Sequence, residues 1–210
     1  MAANGIFCLE GEWDSDLRKR TSVLPVLELL ERLRAIKVIH RKVATTGEVE
    51  HYLDLWGQAR YDDYLVLYLA AHGEKGLLNW SKGNDTSLND LAEVLGDSAR
   101  NCYIHLGSCL TPFNENDART FVEKTGVRAL LGYRTEVGWI ESAAFETLLL
   151  PMLAEYAPTK KTAKTFFKSM MGLQSDLARR LKFVMVTADG SLRGQDWSSP
   201  GKSPVAGLVP

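Results

Sequence analysis

Residues 64–71 read Tyr-Leu-Val-Leu-Tyr-Leu-Ala-Ala, an uninterrupted apolar run that stops at His72-Gly73. A half-exposed strand alternates apolar with polar side chains, and a surface helix shows a stripe. A short run that is apolar on every side therefore predicts a strand buried on both faces. Such strands belong to parallel sheets, whose successive strands are joined by helical crossovers. A second run, Tyr103-Ile-His-Leu-Gly-Ser-Cys109, has the same character. In an open α/β sheet the ligand crevice lies outside the carboxyl ends of the strands. His72 and Cys109, each following its run, are thus predicted to meet there.

The rest of the chain supplies the crossovers. Residues 6–9 read as a first strand. Over residues 22–34, Val23, Val26, Leu27, Leu30 and Leu33 share a helical face, with Pro25 in the first turn, where its missing N–H costs no bond. Residues 36–43 are rich in β-branched side chains and predict a second strand, with His40 inside it. Thr45 and Glu48 have capping-box spacing ahead of a helix, and Ser87 with Asp90 starts another. Residues 74–81 predict a small hairpin. A helix over 114–125 closes at Gly126, and residues 127–133 form a fifth strand. Residues 139–156 form a long apolar helix in which Pro151 predicts a kink or a division. A helix over 159–181 and a strand over 183–186 complete an α/β domain with a mainly parallel six-stranded sheet. From residue 189 to 210 the composition turns to Gly, Ser and Pro, which predicts a flexible tail after a domain spanning 1–188.

Length and charge narrow the function. The chain has 210 residues, enough for one sizeable core but short for two. Its 25 basic and 26 acidic residues nearly cancel, which removes any global attraction to nucleic acid or to an anionic membrane. No apolar run reaches the roughly 18 residues of a membrane span, and no basic leader precedes residue 6, so a cytoplasmic protein is expected. Three cysteines, Cys8, Cys102 and Cys109, lack metal-ligand spacing and are odd in number. Neither a disulfide framework nor a metal site is expected, and no cofactor motif of the P-loop or Rossmann type follows the first strand.

A thiol becomes a useful nucleophile when a neighbouring base raises its thiolate fraction, and a histidine in reach can later protonate a leaving amine. Alone, Cys109 reads as a packing residue, because free cysteine is among the most buried side chains. Paired with His72 it reads as a nucleophile. Gly73 lets the backbone turn sharply, so that its N–H and that of Cys109 are candidate donors to an oxyanion. His105, inside the second run, is assigned to the core or the opposite face, and Cys8 and Cys102 to packing.

A strand ending in His-Gly followed by one ending in Gly-Ser-Cys resembles the caspase-like cysteine peptidases. The 37-residue separation is shorter than the roughly 50 of caspases, and Gly-Ser-Cys-Leu-Thr is not the caspase Gln-Ala-Cys pentapeptide. The bacterial CHAT domains are the closer match, and residues 130–139, Leu-Leu-Gly-Tyr-Arg-Thr-Glu-Val-Gly-Trp, loosely resemble their acid- and Trp-containing loop. The resemblance covers about residues 5 to 187. It implies a three-layer α/β/α sandwich and a His72/Cys109 dyad that needs no third catalytic residue. It also implies a regulated protease of bacterial signalling or antiviral defence, acting on a protein or peptide substrate under an activating partner. A preference for Lys or Arg before the scissile bond is implied as well, and it requires a carboxylate in the pocket. Glu10, Glu12 and Asp14 after the first strand, and Glu136 and Glu141 after the fifth, are the candidates. The alternative is a catalytically silent module that keeps the fold and binds a partner. The basic face of the helix over 159–182 is assigned to solvent and not to nucleic acid.

Overall fold

The structure, a computed structural model, describes residues 4–74, 76–109 and 115–196. In chain order the first half runs β1 (Gly5–Glu10), α1 (Leu24–Arg32), β2 (Lys37–Lys42), α2 (Thr46–Trp56), β3 (Val66–Ala70), β4 (His72–Glu74), β5 (Leu77–Ser81), β6 (Asn84–Ser87) and α3 (Leu88–Leu95). The second half runs β7 (Tyr103–Leu106), α4 (Glu115–Thr125), β8 (Ala129–Tyr133), α5 (Trp139–Glu155), α6 (Lys160–Arg180), β9 (Phe183–Thr187) and β10 (Gly190–Arg193).

Seven strands form one sheet in the order β2-β1-β3-β7-β8-β9-β10. The stretch from β2 to β8 is parallel, while β9 and β10 are antiparallel to their neighbours. Strand periodicity divides the apolar residues between the two faces. Ile6, Cys8, Val66, Tyr68, Tyr103 and Leu131 pack with α1, α5 and α6, whereas Phe7, Leu9, Leu67, Leu69, Ile104 and Leu130 pack with α2, α3 and α4. The result is a mixed α/β domain with a large, mostly parallel sheet covered by helices on both faces. No described helix is long and apolar enough to cross a membrane.

Four local expectations are corrected. The sheet has seven strands, not six, because β10 pairs antiparallel with β9. Residues 190–193 therefore belong to the sheet and not to the tail, since backbone pairing supplies order that their composition does not advertise. Residues 197–210 lie outside the described residues. The apolar run of residues 64–71 also does not deliver His72 directly. β3 ends at Ala70, and His72 opens β4, the edge of a separate sheet ordered β4-β5-β6. Its third strand follows a turn at Gly83, where φ is +78°. Finally, Pro151 lies inside an undivided α5, while the non-helical residue of the last two helices is Gln174 in α6. Asn114, the expected first residue of α4, lies outside the described residues.

Candidate functional site

β1 and β3 are the adjacent strands from which the chain winds in opposite directions, and their carboxyl ends open the crevice. Gly11 follows β1 and donates its N–H to the carbonyl of Ala70 at 2.8 Å, and Glu12 donates to that of Trp80 at 2.6 Å. A Cβ at Gly11 would lie 2.8 Å from the Trp80 carbonyl oxygen, so this approach of β1 to β5 requires glycine. The next residue, Trp13, meets His72 in two ways. Its ring stands edge-on to the imidazole at 5.1 Å, and its carbonyl lies 2.8 Å from His72 Nε2. A carbonyl only accepts, so Nε2 carries the hydrogen and the neutral ring keeps its lone pair on Nδ1.

His72 and Cys109 line one cavity of about 140 Å³, with Tyr68, Val137, Trp139 and Glu146 among its walls. The turn after β7 presents Cys109 half-buried, and Sγ accepts the N–H of Val137 at 3.3 Å. Trp13 and Trp139 pack edge-to-face at 4.6 Å above it. The other two thiols differ. Burial, followed by the charges of Glu10 and Glu146, pushes the Cys8 thiol well above its ordinary value. Burial pushes Cys102 up to about 12. Both are packing residues, as expected.

The acids expected to bind substrate scatter. Glu10 is fully buried and accepts hydrogen bonds from Trp13 Nε1, Ser22 Oγ, Val23 N and His40 Nε2 at 2.6–2.8 Å. Burial works to raise its pKa, but those bonds together hold it below the ordinary 4.5. With its oxygens thus engaged, it holds the β1 loop and offers little to an incoming cation. Glu12 and Asp14 line a second cavity of about 520 Å³ that shares Trp13 and His72 with the first and includes Gly73, Glu74 and Asp85. Hydrogen bonding to Lys19 holds the Asp14 carboxyl below its ordinary range. Glu136 is exposed, and Glu141 pairs with Arg180 of α6. Gly73 lies inside the extended strand β4, opposite Leu78 of β5, so it does not make the sharp turn expected of it, and it lines the second cavity while Cys109 lines the first.

One buried acid was not anticipated. Glu146 of α5 is 4% exposed and receives Tyr68 Oη at 2.8 Å, Tyr133 Oη at 3.0 Å and His105 Nε2 at 3.0 Å. Burial and then the Glu146 charge push both phenols well above the usual tyrosine range, so they stay neutral and donate. His105 stacks on Tyr68 at 5.1 Å, in the core as expected. This cluster backs the cavity that Cys109 and His72 border. Its sequence signal is faint, because the partners lie up to 78 residues apart. Trp13, a lone aromatic in a charged loop, was the more readable one.

A thiol and an imidazole thus border one cavity beyond the carboxyl ends of the adjacent strands β7 and β3. A profile described as a family of unknown function (DUF6642) matches residues 3–184, and the chain belongs to that family. None of the curated proteins matches the chain.

Proposed function

We propose that this chain is a caspase-like cysteine endopeptidase, closest to the CHAT domains, with the three-layer sandwich of that group. The observation that carries the reading is that His72 and Cys109, 37 residues apart, line one cavity at the carboxyl ends of β3 and β7. The Trp13 carbonyl supports it further, because it leaves Nδ1 of His72 as the basic nitrogen. In the reaction, Nδ1 takes the Cys109 proton and the thiolate attacks the peptide carbonyl. The N–H groups of Gly73 and Cys109 hold the tetrahedral oxyanion, and His72 passes its proton to the leaving amine. Water, deprotonated by the same imidazole, then hydrolyses the thioester.

Substrates carry Lys or Arg before the scissile bond in this reading. Glu12 and Asp14 are the better-placed carboxylates, since they line a cavity with His72, whereas Glu136 and Glu141 line neither of the two cavities His72 borders. Replacing Glu12 and Asp14 by Gln and Asn raises KM for basic peptides, and replacing Glu136 and Glu141 does not. Cleavage after apolar or acidic residues refutes that specificity.

The enzyme acts in regulated signalling or defence under a protein activator, as the resemblance implies. Peptide-library digestion with the wild-type protein, with and without candidate activators, tests the function. Wild type cleaves, while Cys109→Ala and His72→Ala fold normally and do not. Cleavage by Cys109→Ala removes the reading, and a folded wild type that cleaves nothing leaves the silent partner-binding module in its place.

A further inference from the structure

We propose that Glu10 is a positioning residue for His72, acting through Trp13 and clamped from the neighbouring strand by His40. Glu10 ends β1, and none of its surface is exposed. Oε1 takes the indole N–H of Trp13 at 2.6 Å and the Val23 N–H at 2.8 Å. Oε2 takes Ser22 Oγ and His40 Nε2, both at 2.7 Å. The bond to Nε1 fixes the Trp13 side chain, while the Gly11 and Glu12 N–H groups tie its backbone to β3 and β5. Trp13 then contacts His72 by both its ring and its carbonyl. The hydrogen bonds along this path, from Trp13 Nε1 to Glu10 and between His72 Nε2 and the Trp13 carbonyl, are short and directed. A buried carboxylate with four donors cannot rotate without leaving several of them unpaired, which makes it a stiff anchor.

Glu10 has a second role open to it, because its bonds to Ser22 and Val23 also secure the start of α1, where negative charge is favoured. A purely structural role would lower stability and leave the His72 tautomer alone. The assignment rests on the dyad reading for its consequence, but its measurement does not pass through catalysis.

The measurement is the ¹⁵N spectrum of histidine-labelled full-length protein at about pH 8, above the usual histidine range. The four histidines are assigned with single His→Gln variants. Wild-type His72 shows one tautomer, protonated at Nε2. In Glu10→Gln that signature is lost to an average of the two tautomers, and in Trp13→Phe, which removes the indole donor with part of the ring and keeps the carbonyl, it is partly lost. Should Glu10→Gln fail to fold, Trp13→Phe alone decides. An unchanged single Nε2–H tautomer in the folded variant, or a wild-type His72 that is already averaged, overturns the proposal. An averaged wild-type His72 would also remove the tautomer support for the dyad, whereas the response of the variants leaves the reactivity of Cys109 to be measured separately.

Discussion

Gly107, between β7 and the cysteine, shows how little freedom the site leaves a single residue. A Cβ there would sit 2.4 Å from Cε2 and 2.8 Å from Oη of Tyr68, whose ring is fully buried and hydrogen-bonded to Glu146. Gly107→Ala therefore displaces Tyr68 and costs about 1–3 kcal/mol of stability, the usual range for overpacking, measurable by urea denaturation. Glu10 carries the clearest pH signature. Its folded pKa lies below the ordinary 4.5, so its stabilisation is complete above that value and is lost as pH falls through the folded pKa. Glu10→Gln is less stable than wild type at neutral pH, by about 1–3 kcal/mol for disturbed buried bonds. The gap narrows in acid, and a gap independent of pH would show that the charge contributes nothing.

Among the elements, those legible in the sequence were those whose residues act locally. The Thr45/Glu48 and Ser87/Asp90 boxes both form, and the two apolar runs became the buried strands β3 and β7. The elements missed depend on distant partners. β10 exists because Ser191, Leu192 and Arg193 pair with Val186, Met185 and Val184, a relation no local pattern reveals. Pro151 is tolerated within α5, whose Leu149, Leu150 and Leu153 are buried in the core, so tertiary packing overrides the local cost. A chain ending at Asp189 loses β10 and the packing of Leu192 on the core. Its melting temperature falls by about 2–4 °C for each kcal/mol lost, and an unchanged transition would show that β10 is dispensable.

At the scale of the whole molecule, the sheet order gives the candidate site its position. With β1, β3 and β7 adjacent and parallel, the loops after all three converge, and these loops carry Trp13, His72 and Cys109. The His72 and Cys109 pairing was readable because each residue follows its own buried strand. Glu146 was not, because as one of three glutamates in α5 it looks like a solvent-facing charge until Tyr68, Tyr133 and His105 are brought against it. If His72 activates Cys109, the rate of alkylation by iodoacetamide, followed by intact mass and peptide mapping, reports it. One fast adduct is expected, on Cys109, that slows markedly in folded His72→Ala, with Cys8 and Cys102 unmodified. Equal rates at Cys109 with and without His72 would contradict it.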